Sequence, residues 1–334
     1  MEWALAMLSG ILNVDKPAGL TSHDVVDAIR RMAGQRKVGH AGTLDPLATG
    51  VLLVCLGAGT RVAEHLAAGR KRYRAGVVLG AATTTYDGEG RVTQCGGRAD
   101  FRRDEIEGAL THFVGQITQV PPVYSAIKQD GEPLYRRVRR GEIVEPRPRI
   151  VEIDELVMLD WSPAGPAGAM PLLTLEVACS PGTYVRSLAH DLGLSLGSCA
   201  YLSSLVRLQS GRFWLDEAVS LPRLKEAFRE GEERRYLLPV DEALLDWPAM
   251  ILTQDAARRV TQGQPVTGEP SAGCEGTDLR APLGRCRAYG PDGDFLAILV
   301  CRPDDGLWWP NKVFAPAGDT LPHLSGADGV EVRG

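Results

Sequence analysis

The stretch 40–52 constrains the fold of this chain more than any other feature. It reads His-Ala-Gly-Thr-Leu-Asp-Pro-Leu-Ala-Thr-Gly-Val-Leu and carries one carboxylate, Asp45. Gly42 and Gly50 permit positive φ or the close approach of another backbone, and Pro46 fixes φ directly after the acid. An isolated Asp-Pro pair is more often a solvated turn. In this setting the sequence predicts a rigid loop that holds Asp45 still, and we interpret Asp45 as a candidate nucleophile.

The overall charge argues against a uniformly basic nucleic-acid-binding protein. The 334 residues carry a formal net charge of -5, whereas nucleic-acid-binding domains are usually basic. A polyanion could still bind, because phosphate contact needs only a local positive field. Two segments could supply that field: Arg61, Arg70, Lys71, Arg72 and Arg74 in the first, and Lys128, Arg136, Arg137, Arg139, Arg140, Arg147 and Arg149 in the second.

The cysteines and the apolar segments favour a cytoplasmic protein. Seven cysteines are spread along the chain without a C-x-x-C pair, which indicates a reducing compartment and no disulfide framework. The first nine residues lack the basic start of a secretory signal. No segment reaches the roughly 20 apolar residues that a bilayer span requires. We therefore expect a cytoplasmic localisation and no membrane partner.

The apolar pattern predicts strands and helices that lead into the motif residues. Thr21 or Ser22 is expected to cap a helix that Gly34 ends. Strands are predicted at 11–14, 51–56, 73–79 and 172–178, and helices from Thr60, over 104–113 and over 188–196. The order lacks the regular βαβ spacing and the phosphate-loop glycines of a dinucleotide fold. The predicted class is therefore α+β with a mixed sheet.

The character of the chain changes near residues 237–241. Beyond Trp247 the sequence predicts a helix at 256–260 and short strands around 285–289 and 295–300. Glycine and proline between these segments mark loops. This pattern indicates a small β-rich module at the C-terminal end.

Five ordered motifs resemble those of one family, the TruB-type tRNA pseudouridine synthases. The stretch at 40–52 is similar to the catalytic signature of that family, in which such an aspartate attacks the target nucleoside. The other matching segments follow in the expected order: 10–17 (GILNVDKP) with 19–22 (GLTS), 71–74 (KRYR), 121–128 (PPVYSAIK) and 179–188 (CSPGTYVRSL). Where the family pattern has a further acidic residue, this chain has Thr84, although it keeps Asp87.

The resemblance, which covers about residue 10 to about residue 215, implies a domain organisation. It implies an α+β catalytic domain at 10–240, with a mainly antiparallel sheet core of the pseudouridine synthase type and flanking helices. An N-terminal extension occupies 1–9. The C-terminal module at 245–315 looks like a PUA-like RNA-binding domain, and a tail follows at 316–334.

The family resemblance also implies a reaction, the isomerisation of uridine-55 in the TΨC loop of tRNA to pseudouridine. This reaction breaks the N-glycosidic bond, turns the base and re-forms the sugar bond through carbon, without net oxidation or group transfer. The sequence has neither metal-ligand spacing nor a Gly-rich phosphate loop. We therefore expect no cofactor and no metal, the T-stem loop of tRNA as the partner, and a monomer.

Three residues are expected to be catalytic. The resemblance assigns Asp45 as the nucleophile on a flipped-out uridine, and it places Arg186 as the charged partner of that carboxylate. We expect the guanidinium to depress the pKa of Asp45, because a nearby cation favours the ionised form. Tyr73 matches a family tyrosine that contacts the target base.

A further set of residues is expected to bind the substrate. Tyr73 and Tyr184 would offer ring faces to the flipped pyrimidine. His40 would stack beside the extruded base, and Leu205 would pack on the substrate or belong to the core. Lys16 could contact a phosphate or form an ion pair that stabilises the fold.

Two other functions remain open from the sequence. A tRNA-binding folding chaperone would need the RNA-binding surface but not the buried carboxylate. A hydrolase could use Asp45 as its nucleophile, but no histidine-based water activator stands in a matching motif.

Overall fold

The computed structural model describes residues 7–95, 98, 100–125, 127–129, 131–165, 170–271 and 284–314. The chain divides into two compact units, Met1–Pro239 and Val240–Gly334. Most of the predicted N-terminal extension and the whole predicted tail at 316–334 lie outside the described residues.

The described residues form seven α-helices and nineteen strands. The helices are α1 Ser22–Ala33, α2 Ala63–Ala68, α3 Arg103–Thr111, α4 Leu134–Arg139, α5 Val185–Ser195, α6 Leu221–Glu230 and α7 Gln254–Thr261. The strands are β1 Gly10–Lys16, β2 Val38–Ala41, β3 Thr49–Leu56, β4 Lys71–Leu79, β5 Ala81–Thr83, β6 Val92–Cys95, β7 Gly115–Gln119, β8 Lys128–Gln129, β9 Glu132–Pro133, β10 Arg149–Ser162, β11 Leu172–Cys179, β12 Ala200–Ser210, β13 Phe213–Trp214, β14 Val219–Ser220, β15 Leu237–Leu238, β16 Ala249–Ile251, β17 Arg285–Tyr289, β18 Phe295–Cys301 and β19 Trp308–Val313.

The first unit is built on one large sheet, and the pairs β5-β6 and β8-β9 are separate two-stranded sheets. The strand order of the large sheet is β14-β1-β3-β12-β4-β11-β10-β7, with β2, β13 and β15 paired to β3, β12 and β1. The pairs β1–β14 and β3–β12 are parallel, and the other pairs of this sheet are antiparallel. Residues of α1, α3 and α5, among them Ile29, Ile106 and Leu188, pack into the same core as the strands. The predicted α+β class with a mainly antiparallel sheet and flanking helices is confirmed.

Helix α1 shows how closely local sequence signals can set an element. The Thr21 hydroxyl accepts a hydrogen bond from the Asp24 N–H at 3.1 Å, and the Asp24 carboxylate accepts one from the Thr21 N–H at 2.8 Å. This reciprocal pair is a capping box. Gly34 ends the helix with φ 61°, a left-handed conformation that glycine adopts without a steric penalty. Both predicted ends of this helix are confirmed.

Other elements differ from the prediction. Helix α5 begins at Val185, three residues earlier than expected. The sequence carries no signal for this start, because the N-cap residue Tyr184 makes no side-chain capping hydrogen bond. The segment from Thr60 is first a short 3-10 helix, Gly57–Arg61, and only then α2. Strand β10 was not predicted. Two register shifts against β11 interrupt the alternation of its inward and outward side chains.

The second unit contains a four-stranded sheet with its own core. The strand order is β16-β17-β18-β19, and Thr253 caps α7 through a hydrogen bond to the Ala256 N–H. Buried residues such as Val260, Ala288 and Leu299 form one apolar cluster. The predicted small β-rich module is therefore confirmed. Among the helices of the described residues, none is long and apolar enough to cross a bilayer.

Candidate active site

A hairpin loop between β2 and β3 presents Asp45 to a pocket of about 210 Å³. The backbone enters and leaves this loop through glycines with positive φ, Gly42 at 89° and Gly50 at 93°. A side chain on Gly50 would place its Cβ 2.3 Å from the carbonyl oxygen of Arg207, so only glycine fits. The pocket is lined by Asp45, Pro46, Thr85, Asp87, Glu89, Tyr124, Arg139 and Arg186.

Hydrogen bonds hold the Asp45 loop on both sides of the carboxylate. The Ser22 hydroxyl accepts from the Leu44 N–H at 2.8 Å and lies 3.1 Å from its carbonyl oxygen. On the other side, the Pro46 carbonyl accepts from the Gly19 N–H at 2.8 Å. Leu44 is itself buried in the core. The predicted rigidity of the loop thus has a physical basis in contacts to the segment 19–22.

Lys16 lies beneath this loop and not on the protein surface. Its side chain is fully buried, and its ammonium group donates to the carbonyls of Pro17, Leu20 and Pro46 at 2.9, 2.6 and 3.3 Å. Burial lowers the pKa of Lys16, and the nearby Asp45 carboxylate acts in the opposite direction. In this structure the amine supports the loop, and a phosphate could not reach it without a rearrangement.

Arg186 clamps the Asp45 carboxylate from the first turn of α5. Its Nη2 donates to Oδ1 of Asp45 at 3.2 Å, and its Nε lies 3.0 Å from Oδ2. The Arg186 side chain is 5% exposed and that of Asp45 is 32% exposed. Arg186 also donates to the Tyr124 carbonyl at 3.2 Å. The guanidinium is therefore fixed by the Tyr124 carbonyl as well as by Asp45, while the Asp45 carboxylate remains partly open to the pocket.

The pKa of Asp45 lies above its ordinary value, although Arg186 acts on it in the expected, lowering direction. Burial raises the pKa of Asp45 and is the largest influence. Arg186 opposes this effect, the second carboxylate of Asp87 adds to it, and Lys16 opposes it more weakly. Desolvation outweighs the ion pair because the partial removal of a carboxylate from water disfavours its charged form by more than the nearby cation favours it. The ionised form of Asp45 is therefore less stable than that of an ordinary aspartate.

Asp87 is a buried second acceptor for Arg186, which the sequence reading did not include in the site. Its Oδ2 accepts from Nη1 of Arg186 at 3.2 Å, and its Oδ1 accepts from the Thr85 hydroxyl at 2.5 Å and the Glu89 N–H at 3.1 Å. The Asp87 side chain is 3% exposed. One guanidinium thus lies between two carboxylates, of which only Asp45 is partly open to solvent.

Tyr73 is buried and does not line the pocket. Burial raises the pKa of Tyr73, and the guanidinium of Arg207 opposes that effect. Arg207, its register partner across β4 and β12, donates to the carbonyls of Val51 at 2.6 Å and Gly42 at 3.1 Å. This buried arginine thereby joins both ends of the Asp45 loop. The sequence reading missed it because it stands in no motif that bears on the loop.

The other predicted substrate contacts lie outside the pocket lining. The Tyr184 ring lies against the Arg149 guanidinium, 4.9 Å from ring centroid to Cζ. His40 is half-buried in β2, and burial, with a smaller contribution from Arg207, lowers the pKa of its imidazole. Leu205 packs into the main core. Contact of these three side chains with a substrate stays a prediction.

Acidic partners neutralise much of the first basic segment. Arg70 pairs with Asp154 at 2.9 Å, and Arg72 pairs with Glu155 and Glu176 at 2.8 and 2.7 Å. Burial lowers the pKa of Lys71 to about 8. In the second segment, Arg140 contacts Glu142 at 2.7 Å and also Glu132. The positive field available to a polyanion is therefore smaller than the residue count suggested. Among the predicted basic residues whose side chains the structure describes, Arg139 is the one that lines the pocket.

The site offers carboxylate chemistry. Among the described residues, no group of three or more His, Cys, Asp or Glu side chains could hold a metal ion. A partly exposed carboxylate, fixed by a buried guanidinium at the edge of a pocket, can bond covalently to a bound molecule when it is ionised. The pocket is below the roughly 300–1,000 Å³ of typical ligand sites, a size that suits one planar ring.

Comparison with known proteins identifies the family of the chain. The family model for the N-terminal domain of TruB family pseudouridylate synthases matches residues 30–185, and the model for the tRNA pseudouridylate synthase B C-terminal domain matches residues 186–245. A Geobacter sulfurreducens protein named tRNA pseudouridine synthase B is 41% identical over 301 residues, which covers 90% of this chain and 95% of that protein. The Gloeobacter violaceus protein of the same name is 46% identical over 296 residues, covering 88% and 96%.

A solved structure shows the same fold. In an H/ACA ribonucleoprotein bound to a substrate RNA containing 2′-deoxyuridine, one chain is similar with a TM-score of 0.68 and 24% identity, covering 92% of this chain and 86% of that chain. The family models and the relatives define a pseudouridylate synthase, which is an isomerase. The chain belongs to the TruB family of these enzymes.

Proposed function

We propose that this protein isomerises uridine to pseudouridine in the TΨC loop of tRNA, at the position conventionally numbered 55, with Asp45 as the nucleophile. The observation that carries the proposal is the Asp45–Arg186 pair at the pocket, with distances of 3.2 and 3.0 Å. The names of the relatives from Geobacter sulfurreducens and Gloeobacter violaceus support tRNA as the substrate.

The geometry supports a sequence of events. The uridine leaves its stack at a cost of a few kcal/mol and enters the pocket beside Asp45. The ionised carboxylate then forms a covalent bond to the nucleoside while the N-glycosidic bond is broken. Arg186 keeps the carboxylate in place throughout, because Asp87 and the Tyr124 carbonyl fix the guanidinium from behind. After the base turns, C1′ of the sugar bonds to C5 of the base and the bond to Asp45 breaks, while the C5 proton is lost and N1 takes up a proton.

The remaining predicted contacts belong to this proposal. Tyr73 and Tyr184 would meet the target base, His40 would fill the space that the extruded base leaves, and Leu205 would pack on the substrate. A neutral His40 suits that stacking role, since burial lowers its pKa. The second unit would add RNA affinity through shape and stacking, because acidic side chains outnumber basic ones in its described part.

The test is pseudouridine mapping in a tRNA transcript incubated with the wild-type protein and with Asp45→Asn. We expect modification at position 55 by the wild type and none by the variant. The variant should keep its tRNA Kd within about tenfold, roughly 1.4 kcal/mol, because the carboxylate is separate from the binding surface. A transcript with cytidine at position 55 is the control. A wild type that binds and folds tRNA without modifying it would instead favour the chaperone.

A further inference from the structure

Tyr86 has an unusual backbone conformation beside the pocket. Its φ is 62°, and among the described residues it is the one non-glycine residue with positive φ. The left-handed region is strained for a bulky side chain, and strain of this kind is concentrated at functional sites. Tyr86 stands between Thr85 and Asp87, both of which line the pocket.

The strained turn presents two acceptors to one nitrogen of Arg186. Nη1 of Arg186 donates to the Thr85 carbonyl at 3.3 Å and to Oδ2 of Asp87 at 3.2 Å. Because these acceptors flank Tyr86 in the chain, the φ of Tyr86 sets their relative direction. A relaxed backbone at Tyr86 would turn one of them away from the guanidinium that also holds Asp45.

His190 joins this turn to the helix of Arg186. The imidazole of His190 is stacked on the Tyr86 ring, with centroids 4.0 Å apart and planes inclined by 8°. His190 follows Arg186 by four residues in α5, so the two side chains leave the same face of the helix. Its Nδ1 is buried without a hydrogen-bond partner in the described structure, and burial lowers the pKa of the ring. The ring is therefore held by its stack on Tyr86 and not by a hydrogen bond from Nδ1.

We propose that Tyr86 and His190 are a positioning pair for the active site: their stack keeps the turn in its strained conformation and thereby keeps Arg186 against Asp45. The inference rests on the proposed function, because it assigns the pair a role in that reaction. Neither ring lines the pocket.

The test compares His190→Ala with His190→Phe in single-turnover and steady-state pseudouridine formation. Loss of an aromatic stack predicts that His190→Ala lowers kcat by about two- to tenfold, with an unchanged KM for tRNA. Phenylalanine keeps a stacking ring and should restore kcat. A less firmly held Arg186 also lowers the pKa of Asp45 less, so this pKa should rise in His190→Ala. The acid limb of the kcat profile should therefore move to higher pH in His190→Ala only. His23→Ala, an exposed histidine of α1, is the matched control.

A second comparison keeps the inference testable if one variant folds poorly. Tyr86→Ala removes the ring but keeps a Cβ that disfavours the positive φ, so we expect the kcat of His190→Ala, and the double variant should be no slower than either single variant. If the wild type is active, three results would each overturn the positioning role. They are an unchanged kcat and acid limb in His190→Ala, a kcat of His190→Phe below that of the wild type, and additive losses of kcat in the double variant. A wild type that forms no pseudouridine would overturn the proposed function as well.

Discussion

Replacing Asp87 by asparagine removes one of the two negative charges that share Arg186. Asparagine has nearly the same shape and can still accept a hydrogen bond from Nη1, so the change is mainly one of charge. Hydrogen bonds to charged groups contribute about 1.5–3 kcal/mol, against about 0.5–1.5 kcal/mol for neutral pairs. The difference of about 1–2 kcal/mol corresponds to a 5- to 30-fold loss of kcat if it is all expressed in the position of Arg186.

The pH profile of Asp87→Asn adds a second, independent readout. The Asp87 charge raises the pKa of Asp45, so its removal should lower that pKa and move the acid limb of kcat to lower pH. The plateau value of kcat should fall, while the acid limb of kcat should move to lower pH. Single-turnover pseudouridine formation over a pH series measures both quantities. Asp154→Asn, which removes an exposed partner of Arg70, is the matched control.

Two outcomes of this experiment would refute the reasoning. If the plateau value of kcat in Asp87→Asn equals that of the wild type, the Asp87 carboxylate does not hold Arg186 in place. A limb displaced to higher pH would mean that a weaker Arg186 contact raises the pKa of Asp45 by more than the loss of the Asp87 charge lowers it.

Four further predictions concern Asp45, the second unit and Lys16. The wild-type rate should fall with decreasing pH through a pKa above the ordinary aspartate range, because burial raises the pKa of Asp45 and the nucleophile must be ionised. The same raised pKa means that ionised Asp45 costs stability as pH rises through it, so the Tm of Asp45→Asn at neutral pH should not be below that of the wild type. Ending the chain at Pro239 should raise KM for tRNA more than it lowers kcat; an unchanged KM in a folded variant would exclude the second unit from RNA binding. Lys16→Met should lower the free energy of unfolding in urea by about 2–4 kcal/mol, because three carbonyls lose a charged donor, and a variant as stable as wild type would contradict that loop-supporting role.

The sequence predicts best where the signals are local. Thr21, Asp24 and Gly34 act within a few residues of the ends of α1, and the structure contains both the capping box and the left-handed end. Strand β10 was missed because its register shifts spoil the two-residue alternation on which a strand prediction depends. The early start of α5 was missed because Tyr184 provides no side-chain cap.

In the site, too, the local features could be predicted from the sequence and the long-range contacts could not. The Asp45 loop was predictable because glycine and proline constrain its own backbone. The contact between Arg186 and Asp87 joins residues far apart in sequence, and only the folded sheet brings them together. The raised pKa of Asp45 could not be read from a pairing with arginine alone, because the sequence does not report how much water each charge loses on burial.

The close approach at Gly50 limits how this enzyme could be redesigned. Because the Arg207 backbone fills the space where a Cβ would lie, a library that varies position 50 should return glycine alone. Gly42 has room for a Cβ, 3.6 Å from the Arg207 side chain, but its φ of 89° disfavours other residues. Engineering for altered RNA preference would therefore keep both glycines as fixed end points and vary the exposed rim of the pocket, where Glu89 and Arg139 lie.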